Sequence, residues 1–123
     1  MKAIFVAMLS LVLWACGDDA SSTLGQQQLG DVVIEVQCRP APVTLGMNEF
    51  LVLATDVRGA PVHDLLVDLR MHDGDVWQQA IQDGFSGVYR KALGVESLQD
   101  QLQVKIKRNG VETELRFPLT KSK

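Results

Sequence analysis

Residues 101–119, QLQVKIKRNGVETELRFPL, carry the clearest structural signal in the chain. Asn109-Gly110 is the strongest short signal for a two-residue β-hairpin, because both residues accept the positive φ of a type I′ turn. The predicted cross-strand pairs are Lys107 with Glu112, Lys105 with Glu114, Val104 with Leu115 and Leu102 with Phe117. Opposite charges meet on one face and apolar groups meet on the other, so a one-residue slip would break all four pairs.

The same period of two extends back along the chain to Asp31. Segment 48–56 is apolar on both faces and is predicted to be a central strand. The apolar positions that alternate along the flanking strands form the predicted core, and they are Val32, Ile34, Val36, Cys38, Leu65, Val67, Leu69 and Met71. Turn signals recur about every eight to twelve residues, which is typical of an all-β fold. About seven strands over this length predict an immunoglobulin-like antiparallel β-sandwich.

Composition limits the classes of function. The chain has 123 residues, 46% of them hydrophobic, and a net charge of −3, so it is long enough for one domain with a real core. No basic patch or RNA-type aromatic motif indicates nucleic-acid binding. No G-x-S-x-G elbow and no phosphate-binding glycine loop is present, so we expect a protein that is not an enzyme and holds no cofactor.

The first fifteen residues are typical of a signal peptide. Residues 3–15 form an uncharged, mostly apolar run after Lys2, and Asp18 and Asp19 follow closely. A bilayer core requires about 20 apolar residues in a helix, so this run is too short to span it. An ordinary cleaved signal peptide or a short uncleaved anchor are the alternatives to the lipid attachment considered next.

The end of this run resembles the lipobox of bacterial lipoproteins. Leu13, Ala15, Cys16 and Gly17 match that pattern, and Trp14 departs from it because a small residue is usual there. The resemblance implies that the Cys16 thiol receives a diacylglyceryl group, that the chain is cut before Cys16, and that the new amine is acylated. Two or more acyl chains give stable membrane anchoring. We therefore expect a lipid-anchored protein facing the periplasm.

These observations predict three regions of the chain. Residues 1–15 are the cleaved signal peptide, residues 16–30 are the lipidated cysteine and a flexible tether, and residues 31–123 are the β-sandwich. The tether is predicted from its small and polar side chains, which offer little to bury.

Met71, His72, His63 and Met47 are the candidate metal ligands. Thioether and imidazole groups are ligands that Cu(I) prefers. Adjacent residues on a strand point to opposite faces, however, so Met71 is expected in the core while His72 faces outward. Two ligands do not make a site, and we expect no metal centre, with copper binding as the alternative.

Cys38 and the Asp73-Gly74-Asp75 segment are two further candidates. Cys38 shares the parity of the core positions, which predicts a buried structural thiol, and a reactive or metal-binding thiol is the alternative. Asp73 and Asp75 resemble half a calcium loop, but no third acid or closing glutamate follows at the required spacing. A turn is the expected structure, because Asp and Gly commonly form turns.

From Pro42 onward the chain resembles the YtkA-like/FixH-like group of envelope domains. The matching positions are Gly46, Asn48, Phe50, Asp56, Gly59, Pro61, Val62, the strand from Leu65 to Met71, Gly87 and Tyr89. The resemblance implies an immunoglobulin-like domain on the outer side of the cytoplasmic membrane, where some members are associated with copper supply or oxidase assembly. The Met/His-rich segment of such copper handlers is reduced here to Met71-His72.

The predicted function combines these features. We expect a non-enzymatic, lipid-anchored envelope protein that presents a binding surface to another envelope protein, in the assembly of a respiratory or metal-containing complex. A periplasmic copper-binding module is the alternative.

Overall fold

The computed structural model describes residues 22–120, which form an all-β sandwich of two antiparallel sheets. The strands are β1 (Ser22–Leu29), β2 (Val32–Arg39), β3 (Gly46–Asp56), β4 (Leu66–Arg70), β5 (Gln78–Gln79), β6 (Ile81–Gln82), β7 (Val88–Val95), β8 (Gln101–Arg108) and β9 (Val111–Pro118). The described part of the chain has nine strands where the sequence predicted about seven. The difference is β1, which was not expected, and segment 76–82, which forms two short strands rather than one.

The strand order confirms the immunoglobulin-like topology. One sheet has the order β1-β2-β3-β7-β6 and the other has the order β5-β4-β8-β9. Apart from β1, these are the A-B-E-D and C′-C-F-G orders of an immunoglobulin sandwich. The chain passes from one sheet to the other at the buried Ala80, whose N–H donates to the Val67 carbonyl oxygen at 2.8 Å.

The hairpin of β8 and β9 has the predicted register at all four pairs. Asn109 and Gly110 have φ of 53° and 80°, as a type I′ turn requires. The Lys107 ammonium lies 3.9 Å from Glu112. Lys105 is paired in register with Glu114, but its ammonium turns across the sheet to within 3.8 Å of Asp68 on β4.

The core lies between the two sheets, and it contains the alternating strand positions that the sequence predicted to be buried. All eight predicted positions are buried, Cys38 and Met71 among them. The predicted central strand is β3, which pairs with β2 on one side and β7 on the other. Its Phe50, Leu51 and Val52 are consecutive buried residues, because this strand is covered on both faces over that stretch.

The predicted tether is wrong from Ser22 onward, because residues 22–29 form β1 and pair with β2. Leu24 and Leu29 pack against the core, and the glutamines between them need no burial on an edge strand. The Gln27 side-chain amide donates to the Arg116 carbonyl oxygen at 2.6 Å, which links β1 to β9. The domain therefore begins at or before residue 22 instead of at residue 31.

The sandwich has two ends, which we call proximal and distal. Ser22 pairs with Cys38, and Cys38 pairs with Phe50, so β1 begins at the end where β2 finishes and β3 starts. This proximal end carries the loops 40–45, 71–77 and 96–100. The distal end carries the turns and loops 30–31, 57–65, 83–87 and 109–110. β1 enters the sandwich at the proximal end.

Candidate functional site

The structure does not bring the predicted metal ligands together. Met71 is buried in the core, while His72 and His63 follow and precede β4 and so lie at the proximal and distal ends. Met47 is exposed at the proximal end. Cys16, the predicted lipidation site, lies outside the described residues.

His72 is held between two carboxylates. Its Nε2 lies 2.8 Å from Asp100 Oδ2 and its Nδ1 lies 3.4 Å from Asp75 Oδ2. The hydrogen bond with Asp100 raises the pKa of His72, and the charges of Asp75 and Glu96 act in the same direction. Both ring nitrogens face acceptors, so the imidazolium form satisfies this site and leaves no lone pair directed at a metal. Within residues 22–120, no group of three or more His, Cys, Asp and Glu side chains is placed to hold a metal ion.

The ion pairs of His72 predict a pH-dependent stability. The pKa of His72 in the folded state is raised above the unfolded value of about 6.5, so its contribution is complete below that pH. The contribution is lost as the pH rises through the folded-state pKa. In urea unfolding at a series of pH values, we expect the free energy of unfolding of the wild type to fall between pH about 6.5 and the folded-state pKa of His72. The His72→Gln variant should show a smaller fall over the same pH range.

His63→Gln is the matched control for this measurement. The His63 ring packs against Phe85 at the distal end, away from Asp75 and Asp100, so its replacement leaves both ion pairs of His72 in place. If the His72→Gln protein declined as steeply as the wild type, the ion pairs would have no part in stability.

Cys38 is a core thiol, as its parity predicted. Its side chain is fully buried, and its Sγ lies 3.7 Å from the Pro40 carbonyl oxygen. Burial raises the pKa of the Cys38 thiol, and a hydrogen bond with Ser22 opposes this in part. A buried thiol of raised pKa is a poor nucleophile and a poor metal ligand.

Asp73 and Asp75 belong to a turn whose carboxylates are already engaged. Gly74 has φ of 87°, and the Asp75 carboxylate accepts a hydrogen bond from the His72 N–H at 3.2 Å. Asp73 Oδ1 accepts a hydrogen bond from Gln103 at 2.8 Å and lies 3.3 Å from Arg116. The Gln103 hydrogen bond, followed by the charge of Arg116, lowers the pKa of Asp73. This arrangement fits the predicted turn and fastens loop 71–77 to the outer face of the sheet.

Trp77 covers two cations on that same face. The Arg70 guanidinium carbon lies 4.1 Å from the centroid of the Trp77 ring, and the Lys105 ammonium lies 4.7 Å from it. Arg70 Nε also donates to the side-chain oxygen of the buried Gln103 at 2.8 Å. Sequence reasoning missed this cluster because its members come from three separate segments. The charged and polar groups of this cluster interact with one another, so the cluster holds loop 71–77 against the sheet.

The distal end exposes a group of side chains that we call the distal surface, defined as Val57, His63 and Phe85. Phe85 is 80% exposed and Val57 is 69% exposed. The Phe85 and His63 rings meet edge to face, with centroids 5.5 Å apart and an interplanar angle of 80°. The one sequence signal that could have revealed the distal surface is a large aromatic residue between Gly84 and Gly87, in the segment DGFSG.

Three hydrogen bonds fix the backbone beneath the distal surface. The buried Tyr89 hydroxyl donates to the Val62 carbonyl oxygen at 3.0 Å and accepts from the Leu65 N–H at 3.3 Å. The Gln82 side-chain amide donates to the His63 carbonyl oxygen at 3.0 Å. His63 is therefore presented from a segment that is tied to the core on both sides.

Comparisons with known proteins supply no relative. No protein-family model matches the chain, no curated protein matches it, and no solved structure matches it. The lipobox and the resemblance to the YtkA-like/FixH-like group thus stay predictions that rest on the motifs quoted above. Within residues 22–120, no helix is long and apolar enough to cross a membrane.

Proposed function

We propose that this chain is a non-enzymatic, lipid-anchored protein of the bacterial cell envelope that presents its distal surface to another envelope protein. The partner belongs to a respiratory or metal-containing complex that is being assembled. The observation that carries the proposal is Phe85, an aromatic side chain that is 80% exposed at the end opposite the one where β1 begins.

The N-terminal motif supports the anchor. The apolar run of residues 3–15 is too short to span a bilayer, and it ends at a cysteine in lipobox context. An acylated Cys16 would be followed by the domain after only six residue steps, at Ser22. With the start of β1 held near the lipid, the distal surface would lie at the opposite end of the strands, facing away from the membrane.

The chemistry of the distal surface supports a protein partner. Aromatic side chains are enriched at protein interfaces and supply much of the binding energy there. Phe85 and His63 are displayed from loops of a packed sandwich, and the hydrogen bonds of Tyr89 and Gln82 hold the His63 segment in place. Binding to a surface that is already ordered costs less conformational entropy than binding to a mobile one.

A photo-crosslinking experiment in native membranes tests the proposal. The full chain carries a benzophenone amino acid at position 85, or at position 76 as a control of similar exposure at the proximal end. We expect a discrete protein adduct from position 85 only, and we expect Val57→Asp to abolish it. Recovery of monomer alone from position 85 would contradict the partner.

Mass spectrometry of the mature N-terminus tests the anchor separately. We expect a first residue of Cys16 that carries diacylglyceryl and acyl groups. An unmodified peptide that begins at another residue would contradict the lipid anchor.

A further inference from the structure

We infer that the proximal end of the sandwich rests on the bilayer that holds the Cys16 lipid, with its exposed apolar side chains in contact with zwitterionic lipid. The inference depends on the lipid anchor proposed above. The side chains concerned, which we call the proximal patch, are Leu45, Met47, Val76 and Leu98.

The length of chain between the anchor and the domain limits how far the domain can lie from the lipid. Cys16 and Ser22 are separated by six residue steps, and a fully extended chain of that length reaches about 20 Å. Ser22 is the first residue of β1, at the proximal end. Whatever the path of these residues, the start of β1 remains within this distance of an acylated Cys16.

The proximal patch projects beyond Ser22 toward the anchor. Ser22 is level with Cys38 and Phe50 in the sheet, and β3 extends a further four residues from Phe50 to Gly46. At the rise of a strand this is about 13 Å. The linker reaches at most about 20 Å from Ser22, so an acylated Cys16 can lie no more than about 7 Å beyond the tip of β3. With the strands upright on the membrane, the residues around this tip are at or near the lipid headgroups.

The side chains at this tip are apolar and uncovered. Met47 is 66% exposed and Val76 is 82% exposed. They come from neighbouring elements, since a depression at this end is lined by both Val76 and Gly94, and Met47 is paired in register with Gly94. Single exposed apolar residues are ordinary on a protein surface, and the distal end also has them, at Val57, Leu66, Phe85 and Val111. Those of the proximal patch differ in that the linker keeps their end of the sandwich within reach of the lipid.

Charge at this end decides the kind of lipid. Asp75, Glu96 and Asp100 surround the single imidazole of His72 next to the patch. Arg39, Arg70 and Arg116 lie at the same end and pair with Glu49 and Asp73, so the described residues there carry only a small excess of negative charge. No net positive charge attracts an anionic surface, and contact therefore depends on burial of apolar side chains against a zwitterionic one. The anchor makes weak contact sufficient, because a short linker gives the patch a high effective concentration at the lipid.

An environment-sensitive fluorophore on the full, lipidated chain tests the inference. Met47→Cys and Val57→Cys are labelled with nitrobenzoxadiazole, since the two positions have similar exposures of 66% and 69% at opposite ends. Cys38 is fully buried and will not compete for the label. In protein-free phosphatidylcholine vesicles we expect a blue shift and a several-fold rise in emission from position 47, and neither from position 57.

The other outcomes separate the possible occupants of the patch. Identical spectra from positions 47 and 57, with the protein floating with the vesicles, would overturn the inference and leave the anchor standing. Failure to float would overturn the anchor and the inference with it. A change at position 47 that appears only in native membranes would assign the patch to a protein, and one that grows with the ratio of protein to lipid would assign it to a second copy. Either result would overturn contact with lipid.

Discussion

Phe117→Ala is expected to lower the free energy of unfolding by about 3–5 kcal/mol. Phe117 is fully buried and faces Leu102 across the β8–β9 hairpin. Its ring also packs against β1, since a Cβ placed on Gly25 would lie 3.2 Å from the Phe117 Cδ2 atom. The substitution therefore opens a cavity at the point where β9 meets the unexpected first strand. Urea unfolding of the two proteins measures the loss.

Phe85→Ala is the matched control, because it removes the same side chain from a position that is 80% exposed. Its free energy of unfolding should stay within about 0.5 kcal/mol of the wild type. Equal losses in the two variants would mean that Phe117 is not part of the core.

Gly87→Ala is expected to lower the free energy of unfolding by about 2–5 kcal/mol, from backbone strain and overpacking together. Gly87 has φ of +73°, and an added Cβ would lie 2.7 Å from the Ala54 carbonyl oxygen and 2.9 Å from Pro61 Cβ. The Gly87 carbonyl oxygen also accepts a hydrogen bond from the Ala54 N–H at 2.9 Å. Relief of the clash would therefore pull β3 away from the loop that carries Phe85. Thermal and urea unfolding both measure the effect.

Gly84→Ala separates strain from crowding. Gly84 lies in the same loop with φ of +63°, but nothing lies within 4 Å of an added Cβ. Only the conformational cost remains, about 1–2 kcal/mol. If the two alanine variants lost the same stability, the close contact at Gly87 would have no energetic weight.

The last hairpin was predictable to the residue because two independent signals agree there. The Asn109-Gly110 turn and the alternation of its strands demand the same register, and the structure has it. β1 was missed because none of its side chains is fully buried, and only Leu24 and Leu29 pack against the core. Its glutamines matched a polar tether, and the two-residue turn at Gly30-Asp31, where Gly30 has φ of 62°, was passed over.

The candidate sites were less predictable because their contacts are far apart in sequence. His72 meets Asp100 across 28 positions, and Arg70 meets Gln103 across 33. Strand parity correctly placed Met71 in the core and His72 outside it, but it gives no information on which loop covers a given end. Phe85 carries no periodic signal, since it lies in a turn between two glycines. Its exposure of 80% follows from the folded path of the loop, which alternation along the chain does not describe.

The direction in which β1 enters the sandwich has a mechanical consequence. β1 begins at the proximal end, and seven of its residues are in register with β2. If the lipid holds Ser22 while a partner pulls on Phe85, the load runs along the strands. The β1–β2 ladder then resists by shear, with its hydrogen bonds strained together instead of being opened one at a time. An anchor attached at the other end of β1 would instead peel the strand away from β2, one hydrogen bond at a time.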